Sequence, residues 1–429
     1  MDLLWASERG IHLYRNQLHQ ELPPQFVAEA IQPATGNQVR RFGVQPEIKF
    51  HTTFDAFRRM QYQAVGLGPD DLRLSIGELL TELVDEQSSP LVSSNVRVLS
   101  FGASYKVVRS GGYTIGITSF LGSAERQAIR SDEIEFSRPE EGLRKALAAL
   151  QKAKCNPMVL LAHASTDETI AVAKKFPQFR IVVTAGGADE PALEPERIAG
   201  AKSYLIQTGK KGMHAGVLGF FDDPQQPLRF QRVPLDARFI DSKEMLQSLA
   251  AYQQQLESMG LARLGLRPVK HPSGHRFVGS AACQECHEDA YDKWVTTPHH
   301  AATRSISHPT ERNEISRHHD PECLSCHVTG WHAQNYFPYE SGYLDLEASK
   351  HLLGNGCENC HGPGSAHVAA ENGDGDYTEA QILALEKQMR LPLARARDHC
   401  LQCHDLDNDP DFQKEGAFEE YWKQIEHYE

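Results

Sequence analysis

Four copies of the pentapeptide Cys-x-x-Cys-His lie in the last third of the 429-residue chain. In this spacing two thiols can form thioethers to the vinyl groups of one haem, and the adjacent His can bind the iron. The copies use eight of the nine cysteines, and the ninth, Cys155, lies far upstream. The predicted haem-binding residues are Cys283, Cys286, His287, Cys323, Cys326, His327, Cys357, Cys360, His361, Cys400, Cys403 and His404. The pattern predicts four covalently bound c-type haems.

Zinc is the alternative occupant of these motifs. Two Cys-x-x-Cys pairs can form a zinc site with four thiolates, so four pairs could form two zinc ribbons. Zinc does not require a His directly after every second Cys, yet all four copies have one. Moreover, sixteen of the 21 histidines lie between His271 and the C-terminus, and haems with two axial imidazoles need such an excess. The sequence therefore favours haem.

Length and composition set the class of protein. A chain of 429 residues exceeds the size of one ordinary core, so two domains are expected. Apolar residues make up 40% and charged residues 24%, which is typical of globular proteins. The sequence has no run of eighteen apolar residues, so no transmembrane segment is predicted. The net charge of −13 argues against nucleic acid or an anionic membrane surface as the main partner.

Residues 1–240 alternate between strand-like and helix-like patterns. MVLLAH (158–163) and RIVVTAGG (180–187) predict buried strands, and TDETIAVAKKF (166–176) predicts the helix between them. YKVVRSGGYTIGITSF (105–120) predicts a hairpin with its turn at Gly111-Gly112. SIGELLTELVDE predicts a further helix, and PLVSSN and NVRVLS predict strands. This succession predicts an α/β layered domain.

A helix and a linker follow this first domain. Residues 242–260 have helical apolar spacing, with Ser at the start and Gly at the end. LRPVKHPSGHRF (266–277) is rich in Pro and Gly and predicts a linker. We therefore predict domains at 1–240 and 278–429, joined by a helix and linker at 241–277.

The residues around the motifs resemble a known family. The first motif stands in CQECHEDAYDKWVTTPHH, the second in DPECLSCHVTGW and the third in NGCENCHGPGSAH, while the chain closes with YWKQIEHYE. From Val278 onward the chain resembles the tetrahaem cytochromes of the cytochrome c-554 type, electron carriers in ammonia-oxidising bacteria. The resemblance implies a mainly α, loop-rich multihaem domain.

This resemblance also implies distal iron ligands for three haems. His367 would be the distal ligand of the first haem, bound by His287. His299 would serve the fourth haem, with His300 as its alternative, and His427 would serve the third. Each is the second imidazole of a haem that has two axial imidazoles and so only passes electrons.

The second haem differs in this resemblance. Relatives leave it five-coordinate, with only the proximal His, here His327, so a small ligand such as NO could bind. His332 follows His327 by five residues, which is a short loop for reaching around a porphyrin, so we predict a surface or supporting role for it. His318 and His319 could still reach a neighbouring haem, and the coordination of the second haem stays open.

The first domain resembles the calcineurin-like metallophosphoesterases of the bacterial 5′-nucleotidase type. The similar segments are YQAVGLGPDDLRLSIGELL, VLLAHAS, RIVVTAGGADEP and YLIQTGKKGMHAGVLGF. Pro69 and Asp70 stand where the family has Asn and His, Ala188 replaces a ligand His, and His163 is retained. Because two-metal hydrolysis needs these ligands, we predict a degenerate, non-catalytic domain that docks a partner or shields the haems. Asp70, Asp71 and Asp189 could form a different metal site, although loop carboxylates are usually solvated.

The predicted function is electron transfer between redox partner proteins. One alternative is an enzyme that performs small nitrogen-oxide chemistry at an open second haem, and another is a phosphoesterase-cytochrome fusion with residual hydrolase activity. Thioether attachment takes place outside the cytoplasm in bacteria, so a periplasmic or otherwise exported protein is expected. The N-terminal MDLLWASERGIHLYRNQLHQ lacks the pattern of a signal peptide, so we expect a removed signal or a truncated start, with export by another route as the alternative.

Overall fold

A computed structural model describes residues 32–34, 43–127, 129–187, 190–209, 212–221, 225, 228–310, 313–405 and 408–427. The chain divides into two compact units, Met1–Met245 and Leu246–Glu429. The boundaries predicted at 240 and 277 stay a prediction. Within the described residues, no helix combines the length and the hydropathy that crossing a membrane requires.

The first unit alternates strands and helices. Its described strands are β1 Gln32–Ala34, β2 Tyr62–Val65, β3 Val96–Val98, β4 Lys106–Ser110, β5 Tyr113–Leu121, β6 Ile134–Phe136, β7 Met158–His163, β8 Ile181–Thr184, β9 Glu196–Arg197, β10 Tyr204–Gln207, β11 His214–Phe220 and β12 Leu228–Pro234. Its described helices are α1 Val44–Arg59, α2 Ile76–Leu83, α3 Ser123–Gln127, α4 Pro139–Lys152 and α5 Thr166–Lys175, with a 3₁₀ turn at Asp71–Arg73.

A six-stranded sheet with the order β4-β5-β7-β8-β10-β9 organises this unit. Strands β5, β7, β8 and β10 run parallel, while β4 and β9 are antiparallel to their neighbours at the two edges. Strand β7 shows why the sheet is buried on both faces, since Val159 and Leu161 lie in one apolar cluster and Leu160 and Ala162 in another. The cluster of Leu160 includes side chains of α4 and α5, and the cluster of Leu161 includes side chains of the β11–β12 hairpin. The predicted α/β layered domain is confirmed.

Local signals in the sequence correspond to observed elements. Gly111 and Gly112 have φ angles of 55° and 81° and form the two-residue turn of the β4–β5 hairpin, where Ser110 pairs with Tyr113. Ser75 caps α2 by accepting a hydrogen bond from the Glu78 N–H. The strand predicted over PLVSSN is wrong in extent, because only isolated bridges form there, at Leu91 and Val92.

The second unit is mainly helical, as predicted, and its elements are short. The described helices, beginning with the one that spans the division between the units, are α6 Lys243–Arg263, α7 Ala281–Gln284, α8 Glu288–Val295, α9 Ala302–Ser307, α10 Pro321–His327, α11 Cys357–His361, α12 Ser365–Glu371, α13 Glu379–Met389, α14 Leu393–Cys400 and α15 Ala417–Ile425. The strands β13 Trp331–His332 and β14 Phe337–Pro338 and 3₁₀ turns at Lys350–Leu352 and Pro410–Gln413 complete it. The helix predicted over 242–260 is confirmed as α6, which is interrupted where it was predicted to end, at Gly260 with φ 65°.

The apolar core of the second unit is small. Its described cluster of buried residues has seven members: Phe277, Ile306, Leu324, Val328, Trp331, Tyr343 and Leu352. Helices α8 and α13 contain no buried residue. Since amphipathic helices derive most of their stability from packing, this core alone gives several helices little to pack against.

Candidate cofactor site

A turn of helix arranges each Cys-x-x-Cys-His motif. Helices α10 and α11 contain the second and third motifs, the first begins in α7, and the fourth follows from the end of α14. In the first and fourth motifs the N–H of His287 and of His404 donates to the carbonyl oxygen of Cys283 and Cys400, at 2.9 and 2.8 Å. Residues three and four apart share a helix face, so the thiols and the imidazole of one motif lie on one side.

Three of the motif histidines lie opposite an imidazole from elsewhere in the chain. The ring centres of His287 and His367 are 6.3 Å apart. Those of His361 and His427 are 5.9 Å apart, and those of His299 and His404 are also 5.9 Å apart. The structure therefore brings together the three histidine pairs that the family resemblance implies.

These separations fit one metal ion between two imidazoles. A metal–imidazole nitrogen bond is about 2.0–2.1 Å, and the nitrogen lies roughly 1.1 Å from the ring centre. Two imidazoles on opposite sides of one ion would thus have centres about 6.3 Å apart. The observed 5.9–6.3 Å is close to this value, and each pair joins one motif His to one His outside the motifs.

Acceptors hold three of the motif imidazoles through Nδ1. Nδ1 of His327 lies 2.9 Å from the Ala302 carbonyl oxygen, and Nδ1 of His361 lies 2.6 Å from the Met389 carbonyl oxygen. Nδ1 of His404 lies 2.7 Å from Asp409 Oδ2. A carbonyl or carboxylate oxygen only accepts, so Nδ1 carries the proton and Nε2 keeps its lone pair for a metal. Such partners orient metal-binding histidines and fix their tautomer.

The second motif differs from the other three in the described part of the chain. Among the described residues, no His ring pairs with His327 as in the other three motifs. His332 instead contacts Asn335 and the ring of Phe337. The rings of His318 and His319 lie 3.9 Å apart and contact each other. The contacts of His332 therefore agree with the supporting or surface role predicted for it, and His318 and His319 contact each other.

The neighbouring histidines His299 and His300 have different environments. His299 is buried, and this burial, followed by the nearby His404 and His327, lowers its pKa to about 4. The imidazole is therefore neutral at pH 7, which is the form that binds metals. His300 lies against the Trp294 ring, with centres 4.8 Å apart. The geometry thus separates the predicted ligand from its alternative.

Thiols of different motifs lie close together. A hydrogen bond from the Cys283 thiol lowers the pKa of Cys357 to about 6, and the Cys326 and Cys403 thiols also share a hydrogen bond. Burial raises the pKa of Cys360 to about 12, with the nearby Cys400 thiol adding to the shift. The attachment points of the first and third motifs are therefore adjacent, as are those of the second and fourth.

A cavity of about 520 Å³ lies beside the third and fourth motifs. Its walls carry thiols, imidazoles and aromatic rings: Cys360, His361, His299, Cys400, Cys403, His404, Phe412 and Trp422. Thiols that can form thioethers, paired imidazoles and apolar walls together suit covalently bound haem.

One residue of this site was missed by sequence reasoning. Asp409 holds the imidazole of His404, five residues away in a loop that contains several other acidic residues. The spacing alone could not distinguish Asp409 from Asp405, Asp407 or Asp411. The carbonyl partners of His327 and His361 belong to the backbone, so no residue type could have indicated them.

The first unit shows a different arrangement at its predicted metal positions. Asp71 is 1% exposed and accepts a hydrogen bond from the Gly68 N–H at 2.9 Å, and Asp70 pairs with Arg73 at 3.0 Å. His163 ends strand β7, while Ala188 and Asp189 lie outside the described residues. Within the part of the chain that is described, no three His, Cys, Asp or Glu side chains form a group that could hold a metal ion.

The C-terminal part is similar to the cytochrome c554 family, as predicted. Residues 282–362 match the family model described as cytochrome c554 and c-prime. Cytochrome c-554 of Nitrosomonas europaea is 32% identical over 144 residues, which are 30% of this chain and 57% of the cytochrome. The chain therefore spans little more than half the length of this relative.

The N-terminal part has a different set of similar proteins. Apyrase of Aedes albopictus is 24% identical over 219 residues, 45% of this chain and 37% of the apyrase. Sulfate thiohydrolase SoxB of Thermus thermophilus covers 56% of this chain and 44% of its own, with a TM-score of 0.45 and 14% identity. A 5′-nucleotidase precursor, also of Thermus thermophilus, covers 58% and 53%, with a TM-score of 0.44 and 18% identity. The predicted similarity to 5′-nucleotidase-type proteins is confirmed as a similarity, and no activity follows from it.

Proposed function

We propose that this protein is an electron carrier with four covalently bound c-type haems that exchanges electrons with redox partner proteins. The observation that carries the proposal is the set of three imidazole pairs, His287–His367, His361–His427 and His299–His404, with ring centres 5.9–6.3 Å apart. Each pair joins a Cys-x-x-Cys-His motif to one distant His.

The surrounding residues support electron transfer rather than substrate chemistry at these three sites. Haem, when bound, supplies one-electron chemistry. Imidazoles on both sides of an iron leave no position for a substrate and hold the ligand set constant when the charge changes. The adjacent thiols of Cys283 and Cys357, and of Cys326 and Cys403, would keep neighbouring cofactors close together. Close spacing favours electron passage from one centre to the next.

Haem content and reversible reduction test this proposal. The chain should be produced in a host that attaches c-type haem and then analysed by intact mass and metal analysis. We expect the mass of four covalent haems, four irons per chain, and rapid reversible reduction. Stoichiometric zinc with no covalent haem would contradict the proposal and favour the zinc alternative.

A second candidate function applies to the second motif. Since no described imidazole lies opposite His327, its iron would have an open position for a small ligand such as NO. The reduced protein should then bind one equivalent of NO or CO, with spectral change at one haem only. A chain that binds neither ligand would remove this candidate.

We further propose an export-dependent location and a non-catalytic first unit. Thioether attachment outside the cytoplasm requires export in bacteria, and Asp70, which stands where the family has a ligand, pairs with Arg73 at 3.0 Å. The first unit would then dock a redox partner or shield the haems. Hydrolysis of a generic phosphodiester upon addition of Mn²⁺ would contradict the non-catalytic assignment.

A further inference from the structure

The motif histidines differ in the charge of the group that holds them. His327 and His361 lie against neutral backbone carbonyls, of Ala302 and Met389. His404 alone of these three lies against a carboxylate, with Nδ1 2.7 Å from Asp409 Oδ2. This contact requires a specific side chain, whereas the other two contacts use backbone that any sequence would supply.

The Asp409 carboxylate is held in place from its other side. Its Oδ1 accepts hydrogen bonds from the Phe412 N–H and the Tyr421 hydroxyl, each at 3.3 Å. The side chains of His404 and Asp409 are 26% and 21% exposed, so water reaches the pair only in part. A carboxylate fixed in this way has a defined orientation towards the imidazole rather than one of many rotamers.

Aromatic rings enclose the same imidazole. The Phe412 ring stacks on the His404 ring with centres 5.0 Å apart, and the Tyr421 ring meets it edge-on at 5.4 Å. Low polarity around the pair strengthens the interaction between the carboxylate and the imidazole compared with bulk water. The four residues therefore form one unit whose negative charge is directed at the imidazole that would bind the iron.

A carboxylate and a carbonyl affect a metal-bound imidazole differently. Both accept the Nδ1 proton, but the carboxylate also places a negative charge near the iron and makes the imidazole a stronger electron donor. Both effects stabilise the ferric state over the ferrous state, since the ferric state has one more positive charge. Hydrogen bonding and charge near the metal are established determinants of haem potential.

We propose that Asp409 is a positioning residue that lowers the reduction potential of the fourth-motif haem below the value that a carbonyl partner would give. This inference rests on the proposed function, because it assumes a haem held between His404 and His299. The fourth-motif haem would then hold its electron less tightly than it would with a carbonyl partner, which favours release of the electron from this haem. Asp409 is also the N-cap of the Pro410–Gln413 turn, and a purely structural role is the competing explanation.

The test compares Asp409→Asn with Asp411→Asn in the full haem-loaded chain. Asn keeps the shape and an acceptor oxygen but removes the charge. Asp411 is two residues away, is exposed, and pairs with Lys414 at 2.7 Å, so Asp411→Asn removes the same charge without touching His404. Potentials of the individual haems are followed by redox titration monitored by electron paramagnetic resonance. We expect the reduction potential of the His404 haem to rise in Asp409→Asn, and to rise by more than the potential of any haem changes in Asp411→Asn.

The proposal would be overturned if the potential of the His404 haem changed equally in the two variants, or if it did not change in Asp409→Asn. If Asp409→Asn does not load four haems, Tyr421→Phe decides instead, because it keeps the ring and removes the hydroxyl that partly neutralises the carboxylate. A lower reduction potential of the His404 haem in Tyr421→Phe supports the proposal, and an unchanged or raised potential contradicts it. If the wild type has no covalent haem at the first three motifs, the proposed function is overturned. The potential of the His404 haem could still be compared between Asp409→Asn and Asp411→Asn, so the two failures are distinguishable.

Discussion

The two units of the chain bury their apolar side chains in different ways. Three clusters of buried residues are described in the first unit, and two of them enclose β7 from both faces of the sheet. The second unit has one described cluster of seven buried residues, and its helices α8 and α13 bury none. We therefore expect the side chains of the first unit to suffice for its fold, and the second unit to depend on the haems that we propose its cysteines and histidines bind.

The polar residues of the two units differ in the same way. In the first unit, Asp70 and Asp71 make short-range contacts, with Arg73 and with the Gly68 N–H. In the second unit, pairs such as His287 and His367 come from distant parts of the sequence and lie opposite each other across 6.3 Å. Side chains that satisfy their neighbours stabilise a loop. Two imidazoles whose ring centres are separated by the distance that one bound metal ion requires indicate a metal-binding site.

The largest expected effect is on the folding of the second unit without haem. Replacement of all eight motif cysteines by Ala prevents covalent attachment, and the small apolar core should not keep residues 246–429 ordered. Limited proteolysis should cleave this unit rapidly and leave residues 43–245 resistant. Cys155→Ala is the control, since it removes the ninth cysteine but should keep both units intact and the haem count unchanged. A protease-resistant second unit in the eightfold variant would refute the contrast between the units.

The next largest effect is a cavity in the sheet of the first unit. Leu161 of β7 is fully buried, so Leu161→Ala should lower the free energy of unfolding of this unit by about 2–5 kcal/mol. The haem spectrum should not change, because the second unit has its own core. Chemical denaturation followed by circular dichroism would measure the change. Leu193→Ala at a position that is 66% exposed should cost less than about 0.5 kcal/mol, and an equal loss in both variants would contradict the layered core.

A smaller effect is confined to one haem. His299→Ala should convert the haem of the fourth motif from low spin to high spin, because the imidazole 5.9 Å from that of His404 is lost. His300→Ala should leave all spin states as they are, since His300 packs on Trp294. Electron paramagnetic resonance would distinguish the two variants. A high-spin signal in His300→Ala, with none in His299→Ala, would reverse the assignment.

The smallest effect concerns a turn of the first unit. Gly112 has φ 81°, so Gly112→Ala should destabilise the unit by about 1–2 kcal/mol even though no atom blocks the new methyl group. Gly77→Ala, in helix α2 and also with open space, should instead stabilise it by about 0.5 kcal/mol. Thermal unfolding would measure both. Similar changes in the two variants would show that backbone conformation does not decide the outcome at Gly112.

Much of the fold was predictable because local rules determine it. The run MVLLAH matches β7, and Gly111-Gly112 forms the predicted hairpin turn, since buried strands and two-residue turns have strong residue preferences. PLVSSN was predicted as a strand because of its apolar start, but only isolated bridges form there. The division after Met245 depends on long-range packing, which periodicity does not encode.

The candidate site was predictable to the extent that its chemistry is local. The Cys-x-x-Cys-His motifs are contiguous, so the sequence alone indicates them. The partners His367, His299 and His427 came from a family resemblance, because their positions in sequence carry no distance information. Asp409 was missed for the same reason, and its contact with His404 became evident only from the structure.

The spin states of the wild-type protein test the central claim most directly. Electron paramagnetic resonance of the oxidised chain, quantified against its iron content, counts low-spin and high-spin haems. Three opposed imidazole pairs, and no described imidazole opposite His327, predict three low-spin signals and one high-spin signal per chain. More than one high-spin haem would contradict the axial pairs, and four low-spin haems would contradict the open position at the second motif.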